Sequence, residues 1–418
     1  MTIDDNCNED KPATDMHDPC WIVAAMREVE RVVGRYFPEA LDPLKAALAV
    51  VVVGCLSDNA QPTTLMLVGA PGAGKTLPLS WMFPPEEKTG HVLTKYLYRS
   101  DKFTAASFVS HRADLSEEQL ADKVDLLPRI KGKTLLTKEL APMFRGKREE
   151  LMERFSVLAS VLDGRGYISD SGAQGRRGYQ GTYNFQWIGA TTPLSKEALE
   201  VMGQVGPRIL FYKVDRPPKT IKEMEAFLAK GSASSQRDCE AAVRAFLRTL
   251  YQVHPVESVA IRDIAIAQPQ LRLLALLAHV AAALRAPERK SEEEDPGTEH
   301  PERVGLILKN IAIGSALAHG RSAVNDYDLA QIGHIALSSG VPGRASVFRA
   351  AIQIGRNATA REIEEYTGLS RPTVLKYMEE LDSVCGLGEF TEGKPATLTI
   401  YRDFRELRHV LRLSRTTL

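Results

Sequence analysis

Residues 64–76 read TLMLVGAPGAGKT. The opening run, Thr64 to Val68, is short and apolar, the pattern of a buried strand. The stretch Gly69-Ala70-Pro71-Gly72-Ala73-Gly74-Lys75-Thr76 then matches the spacing GxxxxGK[ST] and leads into a helix-like segment with Leu77, Trp81 and Met82. Strand, glycine loop and helix in that order are the context the motif requires. The glycines let the backbone curl so that successive N–H groups converge on phosphate oxygens. A helix N-terminus adds partial positive charge. Lys75 is expected to reach the β- and γ-phosphates, and the Thr76 hydroxyl to ligate Mg²⁺. Pro78 falls in the first helical turn, where a missing N–H costs nothing.

Around this loop the chain alternates short apolar runs with helical patterns. Candidate strands are Val92–Tyr98, Thr134–Thr137, Phe185–Ala190 and Ile209–Val214. Such alternation predicts an α/β fold, a parallel sheet flanked by helices. Upstream, residues 20–57 carry two helical patterns broken at Pro38 and Pro43. Pro217-Pro218 marks a boundary, after which residues 219–340 read as helical, interrupted by an acidic, proline-containing segment at 286–303. Residues 1–19 read as a disordered acidic tail. A last unit covers 341–418.

The 418 residues carry 53 Lys+Arg and 53 Asp+Glu, so the formal net charge is zero. That excludes a broadly basic nucleic-acid coat or a membrane-surface protein, but not a local basic site. Basic clusters stand at 145–148, 176–177 and 402–415, offset by the acidic tail and the 286–303 segment. The longest apolar run, Ala46 to Leu56, is too short to span a bilayer. The five cysteines contain no CxxC pair, which argues against a disulfide framework or zinc site and fits a cytoplasmic protein.

The GAPGAGKT loop, a downstream strand ending in an acid, a strand ending Ala190-Thr191-Thr192-Pro193, and Gly206-Pro207-Arg208 occur in an order that resembles the AAA+ P-loop ATPases. The helical lead-in LKAALAVVVVGCL and the inserted segment after the acidic strand look like the helix-2-insert branch, which contains the minichromosome maintenance (MCM) helicases. The resemblance covers roughly residues 40–340. It implies an AAA+ core over residues 20–218, a helical lid over 219–340, and ATP with Mg²⁺ as ligands held by Gly69 through Thr76. It also implies a Walker B motif, normally apolar residues followed by Asp-Glu. Here the strand reads Thr134-Leu135-Leu136-Thr137-Lys138-Glu139, and only Glu139 is acidic. Glu139 is expected either on the Mg²⁺ side or as the base that polarises water. Thr192 matches the sensor-1 position. Arg208 resembles an arginine finger acting on a neighbouring subunit's nucleotide, which implies a homo-oligomeric ring, most simply a hexamer. Arg272 resembles a sensor-2 arginine on the lid.

Between Asp163 and Phe185 the sequence suggests two short strands, Tyr167-Ile168 and Tyr179 to Tyr183, around a glycine-rich turn. Arg176 and Arg177 fall near its tip. In the resembled group such a hairpin tracks DNA through the ring, and paired arginines with Tyr179 suit phosphate binding and base stacking. Arg145, Lys147 and Arg148 form a second basic cluster in the inserted segment, a further candidate nucleic-acid contact or else a solvated or protein-binding loop. Residues 358–381 resemble a helix-turn-helix, with helices Ala360–Tyr366 and Ser370–Leu381. Leu387–Phe390 and Ala396–Tyr401 could form a wing, so that 341–418 reads as a winged helix. Arg371, Thr373 and Lys376 would face a DNA groove. Winged helices at this position also bind proteins.

Three readings follow. The first is an ATP-driven ring motor on DNA, a helicase or translocase. The second is a nucleotide-dependent switch or remodeller acting on a protein partner, favoured by the depleted Walker B strand. The third is a transcription regulator that uses the winged helix.

Overall fold

The structure, a computed structural model, describes residues 19–59, 61–84, 92–110, 112, 114–171, 175–206, 208–216, 219–230, 233–288 and 299–413. The acidic tail therefore lies outside the described residues except for its last position, as does most of the 286–303 segment.

The core is α/β. Five parallel strands, β1 (Thr63–Val68), β2 (Leu97–Arg99), β3 (Thr134–Thr137), β6 (Gln186–Thr191) and β7 (Ile209–Lys213), form one sheet in the order β2-β3-β6-β1-β7. Between β3 and β6 an antiparallel pair, β4 (Gly166–Ser171) and β5 (Gly175–Gln180), makes a separate hairpin. The apolar strands alternate between two cores, as a period of two dictates. Leu65, Leu67, Leu136, Ile188, Ala190, Leu210 and Tyr212 face one hydrophobic cluster. Met66, Leu135, Trp187, Ile209 and Phe211 face the other. Burial on both faces explains why these strands read as continuous apolar runs. The expected strand over Val92–Tyr98 is instead a 3₁₀ turn, Val92–Lys95, and a short edge strand at Leu97–Arg99.

Two helices precede the sheet, Cys20–Tyr36 and Pro38–Val53. Pro38 begins the second helix, where proline is tolerated. Pro43 was expected to break the pattern, yet it lies inside that helix. Its missing N–H leaves the Glu39 carbonyl without its helical donor. The run Ala46–Val53 is fully buried. It packs against the helix Pro301–Ala318, where a side chain at Gly314 would strike the Ala49 carbonyl. The helices Ala233–Val253, Gln268–Leu284 and Asp326–Ser338 complete this layer. The last is capped by Asn325, which accepts from the N–H groups of Tyr327 and Asp328.

The C-terminal elements run helix Pro342–Ile354, strand β8 (Ala358–Thr359), helices Ala360–Thr367 and Arg371–Ser383, then β9 (Gly388–Thr391) and β10 (Thr397–Ile400). The three strands pair antiparallel in the order β8-β10-β9. Gly368, at φ 70°, turns the chain between the two expected helices. Their apolar positions Ile363, Val374, Met378 and Leu381 are fully buried.

Candidate functional site

The glycine loop leaves the carboxyl end of β1, between β6 and β7. Gly72 and Gly74 have φ of 81° and 85°. A side chain at either would be strained there. Gly69 is needed for a different reason. A Cβ on it would lie 2.8 Å from the Val214 carbonyl oxygen, so a side chain would push β7 away. Lys75 is buried and folds back, donating from Nζ to the Ala70 carbonyl at 3.4 Å. Within the loop Ala73 donates to Ala70 and Leu77 to Gly74. The N–H groups of Gly72, Gly74, Lys75 and Thr76 have no backbone acceptor among the described residues. Open donors of this kind, with a cation beside them, are an anion cradle. The helix that follows, Leu77–Met82, is one and a half turns long, so the loop's own amides carry the site. The residues present thus fit ATP phosphates, and the half-exposed Thr76 hydroxyl fits a Mg²⁺ ion among them.

A cavity of about 270 Å³ opens beside the loop, at the carboxyl ends of β1, β6 and β7. Ala70, Ala73, Leu194, Phe211, Arg216 and Ala345 are among its lining residues. Ligands of open parallel sheets bind at this end.

The acidic side is poorer. Glu139 is exposed just past β3, and its Oε1 accepts from the Ala141 N–H at 2.9 Å, capping the 3₁₀ turn Ala141–Phe144. Asp125, an acid that the fold could have brought beside Lys138, is elsewhere. It is fully buried under the hairpin, where it accepts from the Ser110 N–H and the Tyr179 hydroxyl, each at 2.7 Å. The acid whose ionisation Lys138 favours is Asp101. Hydrogen bonds from Arg99 do most to hold its carboxyl below the usual range, and Lys138 adds to them. Thr192 stands at the end of β6, and its hydroxyl accepts from Arg145 at 3.3 Å. Arg145, read from sequence as a nucleic-acid contact, therefore lies against the sensor-1 position. Arg148 is tied to Gln204 at 2.7 Å, and Lys147 is the N-cap residue of the helix Arg148–Val161.

The two arginines expected at phosphate are engaged within the chain. Arg208 is buried, ion-paired to Asp163, and donates to the Ala159 carbonyl at 2.6 Å. Burial lowers its pKa, and Asp163 opposes that shift. Arg272 points to the C-terminal segment, bonding Glu406 at 2.7 Å and Asp403 at 3.0 Å. It does not line the cavity beside the loop.

In the hairpin, Arg176 and Arg177 are adjacent on β5 and so face opposite sides. Arg177 is half-buried and donates to the Arg112 carbonyl at 3.1 Å. Arg176 is exposed, with no ion-pair partner among the described residues. Tyr179, expected to stack on bases, anchors the hairpin to Asp125. Burial first, and then that hydrogen bond, raise its phenol pKa well above the usual value. The tip itself, 172–174, lies outside the described residues.

In the C-terminal unit Arg371 is exposed at the start of its helix. Lys376 is bound to Glu288 at 3.2 Å and Glu380 at 3.4 Å. Arg405, Arg408 and Arg412 bond the Ile400 carbonyl, the Gln353 carbonyl and the Gln353 side chain. These three arginines are thus tied within the chain, although Arg405 and Arg412 remain exposed.

Sequence reasoning missed Arg216. It lies beyond the end of β7, ion-paired to Glu39 at 2.6 Å, and lines the cavity. Its position at a strand's carboxyl end was the available signal, overshadowed by Pro217-Pro218. Among the described residues, no group of three His, Cys, Asp or Glu side chains could hold a metal, and no helix is long and apolar enough to cross a membrane.

No protein-family model matches the chain, and no curated protein matches it. Among solved structures the chain is similar to that of a "putative ATPase" from Cytophaga hutchinsonii. The identity is 12% and the TM-score 0.40, over 76% of this chain and 87% of that one.

Proposed function

We propose that this protein binds ATP at Gly69–Thr76 and uses the nucleotide, as an AAA+-type oligomeric ring, to act on DNA. The observation that carries the nucleotide half is the loop itself: two positive-φ glycines, four open amides and a folded-back Lys75 at the carboxyl end of β1. Lys75 would neutralise the β- and γ-phosphates, and Thr76 would help hold Mg²⁺. Thr192 would orient an attacking water, steadied by Arg145. Glu139, the acid just past β3, would polarise it. The DNA half is supported by the exposed Arg176 on the hairpin and Arg371 on the C-terminal helix, the latter within a helix–strand–helix–helix–strand–strand order that fits a winged helix.

Two observations favour a second reading, a nucleotide-dependent switch on a protein partner. Lys138 replaces the expected Walker B acid, and Arg208 is held by its own Asp163. Action in trans would require that ion pair to open on assembly. The deciding experiment is ATP hydrolysis with and without single- and double-stranded DNA, alongside sedimentation with and without ATP. DNA-stimulated hydrolysis that Glu139→Gln removes supports the motor. ATP-driven assembly without hydrolysis supports the switch.

A further inference from the structure

One cation near the loop has no role in that scheme. Arg216 stands against the loop itself: a Cβ on Gly74 would lie 3.7 Å from its Nη1. Gly74 immediately precedes Lys75, and its N–H is one of the open donors. Arg216 also lines the adjoining cavity, and its side chain keeps only 20% of its exposure. Its ion-pair partner is Glu39, in the first turn of the helix Pro38–Val53. That turn is weakly held, because Pro43 supplies no N–H to the Glu39 carbonyl. Arg208 and Arg272, the other candidates, are committed to Asp163 and to Glu406 with Asp403.

A planar guanidinium binds carboxylate and phosphate through the same pair of donors. A polyphosphate on the loop amides brings several negative charges to Arg216 where Glu39 supplies one. We propose that Arg216 is a phosphate-binding residue acting in cis, and that it exchanges Glu39 for the nucleotide. Nucleotide arrival then releases Glu39 and loosens the first turn of that helix. Occupancy of the loop is thereby transmitted to the N-terminal helices and to the helix Pro301–Ala318 packed on them. The inference rests on the reading of the loop as an ATP site.

The test is titration of the full chain with a fluorescent ATP analogue and Mg²⁺. Arg216→Ala should weaken binding about 10-fold, the effect of losing one charged hydrogen-bonding partner. Arg216→Lys should recover part of that loss. Glu39→Gln removes the competitor and should tighten binding about 3-fold, the scale of a partly exposed ion pair. That gain should vanish when Arg216 is already Ala, which a merely structural ion pair would not produce. Hydrogen exchange over residues 38–42 should rise with nucleotide in the natural chain and be high from the start in Glu39→Gln. Binding lost in Lys75→Ala but unchanged in Arg216→Ala overturns the assignment of Arg216 alone. A Glu39→Gln gain that persists without Arg216 overturns the exchange. No binding by the natural chain removes the ATP site and this inference with it.

Discussion

The loop Gly69–Thr76 and the side chain of Arg208 belong to the same expected site but have opposite internal economies. The loop curls so that the N–H groups of Gly72, Gly74, Lys75 and Thr76 have no backbone acceptor among the described residues, and only a weak internal contact restrains its lysine. Arg208 is enclosed, with Asp163 and the Ala159 carbonyl taking two of its donors while its buried Nε has no partner among the described residues. Open amides on a solvent-facing loop are held by water until an anion displaces it, whereas a buried charged side chain must be held by the fold itself. The contrast predicts a double dissociation: changes at the loop remove binding and spare stability, and changes at enclosed groups do the reverse.

The largest effect belongs to the loop. Lys75→Ala should weaken ATP binding on the order of 100-fold, since a charged hydrogen bond to phosphate is lost from a concave site. The denaturation midpoint should stay within error of the natural chain. A matching loss of stability would break the contrast.

On the enclosed side, His334 gives a pH dependence. It is fully buried on the helix Asp326–Ser338, and its Nε2 lies 2.9 Å from the Lys213 carbonyl oxygen. Burial pushes its pKa from 6.5 down to about 4. The unfolded chain takes up a proton below about 6.5 and the folded chain does not until about 4. Stability from this group is therefore complete above pH 6.5, falls as the pH drops toward 4, and levels off below. The loss over that window is roughly 3 kcal/mol. Urea midpoints between pH 7.5 and 4 would show it, and His334→Gln should flatten that part of the curve. Next in size is Asp163→Asn. It leaves the buried Arg208 with a neutral partner and should cost about 2 kcal/mol, less than a fully buried pair because Asp163 is half exposed. ATP binding should persist, so a variant that folds normally but loses binding would return Arg208 to the nucleotide site.

What the sequence disclosed divides along the same line. The strands β1, β3, β6 and β7 were legible to within a residue because they are buried on both faces, and the loop was legible because its geometry is local and demands glycine. Helix boundaries in the C-terminal unit were legible from Gly368 and the apolar spacing of Ile363, Val374 and Met378. Destinations of charged side chains were not. Arg208, Arg272 and Lys376 find partners 45, 131 or more, and 88 residues away, and no spacing rule reports such distances. Nor could periodicity show that Asp125 serves the hairpin rather than the Lys138 neighbourhood, since only the fold brings Tyr179 to it.

The smallest effect tests the contrast within a single dipeptide. Arg176 and Arg177 are neighbours of identical charge, yet strand alternation gives them different fates. Arg177 is half-buried against the Arg112 carbonyl, and Arg176 projects from the exposed face of β5. If the hairpin contacts DNA phosphates, Arg176→Ala should weaken binding several-fold and reduce the slope of log affinity against log salt by about 1, one counterion's worth. Arg177→Ala should leave that slope unchanged and instead lower stability slightly, by about 0.5 kcal/mol for one exposed hydrogen bond. Equal salt slopes for the two variants would mean that the strand's two faces do not sort these side chains into one for a ligand and one for the fold. An unchanged slope in both would move DNA contact away from the hairpin, toward exposed cations elsewhere such as Lys147 or Arg371.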